Sequence, residues 1–279
     1  MALETTINYV ARLDIFKNER AFFTDFPVSS VPGARRSNHQ VDRTAVNVHP
    51  ISDPFKFDIN INGFCVIKAE TYINPEDALA KTEEVKRAYW EQIEKILASK
   101  FPEYSRIEGF DFTVRKRDDD FPKVSRTYGE FEQPLSSPHI DWTAKGSQLQ
   151  LRDAFPGQEH LWQGKDYDII NVWRPMTGPN DDWPLAVCDW TSIDHDNDML
   201  LNDGIRRDKV DENATLHPNP AHRWYYIPDQ KADELIVFRN SHSKEMLPYC
   251  FHSAVFNPEA KCPPRISLEV RVVAFRDLD

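Results

Sequence analysis

Residues 265–276 read RISLEVRVVAFR. Arg265, Ser267 and Arg271 fall on odd positions, and Ile266, Leu268, Val270 and Val272 on even ones. That period of two sends successive side chains to opposite faces of a β-strand. This strand therefore turns an apolar ladder to one side and can direct Arg265, Ser267 and Arg271 toward the interior of a sandwich or barrel.

Similar segments precede it: GFDFTVRKR, SSPHIDW, DYDIINVWRPM, PLAVCDW, HRWYYIP, DELIVFR and YCFHSAVF. Several are continuously apolar, as strands covered on both faces are. AKGSQLQLRDAF between them has the pattern of a helix. Eight extended runs from about residue 107 onward predict a mainly β fold with flanking helices, an antiparallel sandwich or barrel.

Before that core, TTINYVA and FDININGFCVIKAETY have β-like character, and the polar stretch at 30–50 has the composition of a long surface loop. NPEDALAKTEEVKRAYWEQIEKILASKF (74–101) predicts one helix. Asn74 suits its N-cap, Pro75 the first turn, and Ala78, Val85, Tyr89, Ile93, Ile96 and Leu97 an apolar face. The acid-rich stretch at 192–221, with His195, has the composition of a solvated surface insertion. No repeat or low-complexity tract divides the 279 residues. One domain, 1–279, is expected, with strands, loop and packing helix in 1–104 and the β core in 105–279.

A net charge of −11 repels a phosphate backbone, and VRKR at 114–117 is a short basic run rather than a stripe, so nucleic acid is not the expected partner. No apolar run of membrane-spanning length occurs, and the amino terminus lacks the pattern of a secretory leader. The expectation is a soluble cytoplasmic protein with a small-molecule substrate. Four cysteines without a CxxC pair exclude a zinc ribbon and are expected to be free thiols.

The chemistry starts at SSPHIDW (136–142), where His139 and Asp141 stand two apart and can converge from one face of a strand. Two histidines and a carboxylate on one face of an octahedral metal leave three positions open, the arrangement of non-heme Fe(II) oxygenases. A third ligand must come from a later strand. His252, inside the strand-like CFHSAVF, is a better candidate than His242 in the polar turn RNSHSKE. Arg265 and Ser267 can then hold a carboxylate through a guanidinium fork and a hydroxyl. A zinc-dependent hydrolase or lyase uses the same ligand types but leaves Arg265 and Ser267 without a task. A non-catalytic binding protein of the same fold makes all three ligands coincidental.

His139-Ile-Asp141, His252 and Arg265-Ile-Ser267 resemble the HxD…H…RxS pattern of Fe(II)/2-oxoglutarate-dependent oxygenases. More narrowly, VWRPM, PLAVCDW, DELIVFRNS, CFHSAVF and PPRISLEVRVVAF resemble the AsaB-like and CmcJ-like hydroxylase/desaturase family of fungal specialised metabolism, which includes gibberellin desaturases. The likeness spans about 105–276. It implies a double-stranded β-helix (a cupin-like jelly roll), with iron on His139, Asp141 and His252 and the distal carboxylate of 2-oxoglutarate on Arg265 and Ser267. It also implies O2-dependent hydroxylation, desaturation or ring formation on a small specialised metabolite.

Asn171 and Arg174 flank Trp173 in NVWRPM. Either polar side chain can face the pocket while Trp173 faces the core, and Arg174 is expected to contact a carboxylate of substrate or cosubstrate. Trp142 either shapes the pocket or fills core, whereas Trp224, Tyr225 and Tyr226 are expected to pack. His39, His49, His160, His217 and His222 have no acid at useful sequence spacing.

Overall fold

The computed structural model describes residues 1–123 and 131–276. In chain order the elements are β1 (Leu3–Val10), β2 (Ala21–Thr24), β3 (Val41–Pro50), α1 (Ile59–Asn62), β4 (Phe64–Lys68), α2 (Pro75–Ala80), α3 (Glu83–Lys100) and β5 (Arg106–Lys116). They continue as β6 (His139–Ile140), α4 (Ala144–Ala154), β7 (Tyr167–Pro175), β8 (Leu185–Cys188), β9 (Met199–Ile205) and β10 (Val210–Leu216). The last are β11 (Trp224–Tyr226), β12 (Glu234–His242), β13 (His252–Ala254) and β14 (Ile266–Phe275).

Two sheets make up the jelly roll. The larger has the order β1-β3-β11-β8-β13-β6-β10-β9-β2, the smaller β4-β12-β7-β14-β5. The first hundred residues supply strands to both. On the smaller sheet, the even-numbered Ile170, Val172, Leu268 and Val270 pack against Ala78, Tyr89, Ile93 and Leu97 of α2 and α3. Full burial of each large aliphatic chain stabilises the layer by about 1.5–3 kcal/mol. The odd-numbered residues of β7 and β14 consequently face the larger sheet, as the alternation in RISLEVRVVAFR predicts.

Four sequence expectations change. The single helix over 74–101 is two, because Lys81 turns left-handed at φ 53° and Thr82 accepts from the Val85 amide to cap a new helix. Residues 57–72 are not one extended run: Asp58 caps the short α1, and Gly63 closes it at φ 81° before β4. The presumed loop at 30–50 contains β3, whose backbone pairs with β1 along eight residues, Leu3↔Val48 to Val10↔Val41. Its many polar side chains conceal that strand.

The presumed insertion at 192–221 is the hairpin β9–β10, and β10 pairs directly with β6. Its acids are not all solvated. Asp198 is fully buried and accepts from Arg12 at 2.6 Å, Asn219 at 2.9 Å and the Asp194 amide at 2.9 Å, with His222 Nε2 3.0 Å away. His222 therefore does have an acid partner. Among the described residues no helix is long and apolar enough to cross a membrane.

Candidate metal centre

β6 is only two residues long, yet it is held on both sides: His139 pairs with Thr215 of β10 and with His252 of β13. Residues directly opposite on neighbouring strands project from the same face, so the ladder itself brings the two imidazoles together, with ring centroids 4.3 Å apart. Asp141 lies just past the strand end and is secured from the opposite sheet. Asn240 accepts from its amide at 2.7 Å and donates to the Trp142 carbonyl at 3.1 Å. The β12 register shifts between Arg239 and Ser241, leaving Asn240 as the extra residue of a bulge, a device that re-aims a side chain.

One ligating atom each from His139, Asp141 and His252 falls within 4.8 Å of the others. Asp141 Oδ1 is 3.5 Å from His139 Nε2 and 3.9 Å from His252 Nε2. His139 Nδ1 donates to the Ser137 carbonyl at 2.8 Å, which leaves the Nε2 lone pair facing the cluster. Oδ2 of Asp141 is taken on the other side, accepting from Asn171 Nδ2 at 2.7 Å and Arg271 Nε at 2.8 Å. Oδ1 is thus the oxygen turned toward the imidazoles.

Burial opposes ionisation of Asp141, but the Arg271 guanidinium, aided by the two imidazoles, holds the carboxyl well below the usual carboxylate range. Burial and the His139 imidazole hold His252 down to about 3, against the pull of Asp141. At neutral pH the aspartate is an anion and His252 a neutral donor, the protonation states a metal requires.

A cleft beside the cluster is lined by His139, His252, Trp173, Arg265, Glu269 and Arg115, among others. Arg265 donates to the Trp183 carbonyl, and its guanidinium carbon sits 5.4 Å from the Trp173 ring. Burial pushes Arg265 down to about 9, and nearby Arg115 adds to the effect. Arg265 Nε and Ser267 Oγ are both buried without a hydrogen-bonding partner. Orphaned donors of this kind cost roughly 1–3 kcal/mol each, and a bound carboxylate satisfies both. Two imidazoles, one carboxylate oxygen and an adjoining cationic cleft fit Fe(II) with a dicarboxylate cosubstrate.

Arg174 does not join this group. It is even-numbered on β7, so it turns toward the helices, donating from Nε to the Tyr89 hydroxyl at 2.9 Å and from Nη1 to the Ala232 carbonyl at 3.1 Å. The expectation that it meets a carboxylate of substrate or cosubstrate is corrected accordingly. Trp173 and Asn171 take the inward face instead. Arg271 does face inward, and Trp142 packs beneath its guanidinium at 5.2 Å. His242 sits elsewhere, 3.2 Å from Asp166, and the Cys250 thiol is buried against the carbonyls of Cys188 and Phe251. Of the two polar residues that flank Trp173, Asn171 is the one that reaches the site, and sequence reading missed Asn240 and Glu269. Strand parity with Ser267 and Arg271 signals Glu269, but nothing local marks Asn240, which acts through a bulge.

A family model described as Oxidoreductase/YMDC permease-like domain matches residues 7–275. The chain is 28% identical over 270 residues to the Fe(II)/2-oxoglutarate-dependent dioxygenase nvfI of Aspergillus novofumigatus, covering 90% of each. It is 31% identical over 154 residues to the hydroxylase/desaturase efuI of Hormonema carpetanum, covering 51% of this chain and 52% of that one. A solved structure titled as a variant of the iron and alpha-ketoglutarate-dependent endoperoxidase NvfI superposes with a TM-score of 0.83 at 24% identity. That match covers 98% of this chain and 97% of the other, and shows the shared fold.

Proposed function

We infer that His139, Asp141 and His252 hold Fe(II) while Arg265 and Ser267 anchor 2-oxoglutarate in this chain, which belongs to the Oxidoreductase/YMDC permease-like domain family. The protein is an Fe(II)/2-oxoglutarate-dependent dioxygenase, as its relatives are named, and it oxidises a small specialised metabolite by hydroxylation, desaturation or oxidative ring formation. One observation carries the residue assignment: the free oxygen of Asp141 and two imidazoles converge beside a cleft in which Arg265 and Ser267 hold unpartnered donors.

Bound iron, with 2-oxoglutarate and O2, supplies the oxidising power for breaking an unactivated C–H bond. The chain's residues do the rest by placement. Asn171 and Arg271 fix which Asp141 oxygen faces the metal, and the Ser137 carbonyl fixes the His139 tautomer. Arg265 and Ser267 would hold the cosubstrate by its far carboxylate through the buried Nε and hydroxyl that have no other partner. Leu135 and Leu185, with Trp173, give the cleft apolar walls that limit water.

Metal-free protein reconstituted with Fe(II) is expected to convert 2-oxoglutarate and O2 to succinate and CO2 when ascorbate is supplied as the two-electron reductant in place of substrate, while Zn(II) reconstitution gives none. Succinate formation that is equal with either metal, or independent of O2, contradicts the assignment.

A further inference from the structure

β1 ends the larger sheet and pairs along one edge with β3. Its other edge holds Ser136, 128 residues further along the chain, in the segment that leads to His139 and Asp141. The Asn8 amide donates to the Ser136 carbonyl at 3.3 Å, and Asn8 Nδ2 donates to Ser136 Oγ at 2.9 Å. One position earlier, the fully buried Ile7 shares a core cluster with Ile140, the residue between the two ligands.

Ser136 stands one peptide before the carbonyl on which the His139 imidazole depends. His139 Nδ1 donates to the Ser137 carbonyl at 2.8 Å, which leaves Nε2 bare. Pro138 has no N–H, so the Ser137–Pro138 peptide cannot be pinned from its donor side. Orientation of its carbonyl therefore falls to the peptides on either side. Thr215 Oγ1 holds the following one, donating to the Pro138 carbonyl at 2.7 Å, and Asn8 holds the preceding one.

We propose that Asn8 is a positioning residue of the metal centre: by holding Ser136 through backbone and side chain, it fixes the Ser137 carbonyl and, through it, the His139 tautomer that presents Nε2 to the metal. The inference rests on the reading that His139, Asp141 and His252 bind the metal. Which ring nitrogen carries the proton is set by the hydrogen bond that the other one makes. When the Ser137 carbonyl is free to turn away, a share of the molecules carries the proton on Nε2. Those molecules must move it before the metal can bind, and the apparent affinity falls with the fraction that is competent. β6 is two residues long and cannot by its own ladder order the chain before it, so the strand from the amino terminus takes that task.

The test uses the full chain with nitrogen-labelled histidine, free of metal and at mildly alkaline pH. NMR reads the His139 tautomer, its resonance assigned by its loss in His139→Gln, and calorimetry gives the Co(II) affinity in parallel. Wild type is expected to carry the His139 proton on Nδ1. Asn8→Ala and Ser136→Ala should each show a mixture of tautomers and bind Co(II) about 10-fold more weakly. The double variant should lose little more than either single one, because both remove the same side-chain bond. Thr5→Ala removes another hydrogen bond from the same strand edge, to the Phe256 carbonyl, and should keep both tautomer and affinity. A single Nδ1–H tautomer with wild-type Co(II) affinity in either Asn8→Ala or Ser136→Ala overturns the proposal, as does an equal loss in Thr5→Ala. Co(II) affinity undiminished in His139→Gln removes the reading beneath it, a separate outcome.

Discussion

Arg271, on the smaller sheet, donates from Nε to Oδ2 of Asp141 at 2.8 Å, across the interior from the strand that carries His139. The same guanidinium lies over Trp142 and reaches Asp111 and Thr113. One side chain therefore joins the carboxylate of the candidate metal centre to two strands of the opposite sheet. Substituting partners that orient metal ligands typically costs about 10- to 100-fold in affinity. Arg271→Gln is predicted to lose that much Co(II) or Mn(II) affinity by calorimetry. Arg271→Lys, a point charge without the fork, should recover little. An unchanged affinity in a folded Arg271→Gln protein shows that Asp141 orients itself.

Asn240 is predicted to matter for stability before it matters for turnover. Its amide replaces two backbone partners at once, the Asp141 N–H and the Trp142 carbonyl. Asn240→Ala leaves both seeking water and should lower unfolding stability by about 1–3 kcal/mol in urea titrations. A change below measurement error indicates that the loop after β6 re-forms without the bulge.

Arg174→Gln separates two roles. Because Arg174 joins Tyr89 of α3 to the Ala232 carbonyl and faces away from the cleft, the variant should melt at a lower temperature and bind 2-oxoglutarate as the wild type does. Weaker cosubstrate binding at unchanged stability restores the expectation drawn from NVWRPM.

Acid should destabilise the fold early. Burial lowers His39, His217, His222 and His242 below their ordinary value of 6.5. In each, the unfolded chain binds a proton more readily than the folded one, so stability rises with pH wherever that difference exists. The contribution is intact above about 6.5 and is lost progressively as pH falls below it. Asp198 acts in the same direction. Hydrogen bonds from the Asp194 amide, Asn219 and His222 outweigh the effect of burial and depress it, so its contribution disappears as pH falls through the carboxylate range. Melting temperatures at pH 7.5 and 5.5 check this: a lower value at 5.5 is predicted, and an equal or higher one contradicts it.

The strands that position the site were legible from two local patterns. RISLEVRVVAFR places Ser267 and Arg271 on the inward face, and the HxD spacing places His139 beside Asp141. The elements that were misread share a different property. β3 and the β9–β10 hairpin carry many polar side chains that are exposed or half-buried, so their composition resembles loop. Arg174 was misplaced by one step of parity. Trp173 is buried in the core with Phe64, Leu185 and Ile236 and also forms a wall of the cleft, so its inward face goes with Asn171 on the same parity and not with Arg174. Asn240 was invisible for another reason, since a bulge breaks the period on which the reading depends.

The central claim is that His139, Asp141 and His252 together bind the iron that 2-oxoglutarate chelates. Anaerobic metal analysis combined with the 2-oxoglutarate absorbance band tests it in wild type, Asp141→Ala and His252→Ala. About one equivalent of Fe(II) and a clear band are predicted for the wild type, with both lost in each variant while the fold is retained. Iron and band at wild-type levels in either variant contradict the account.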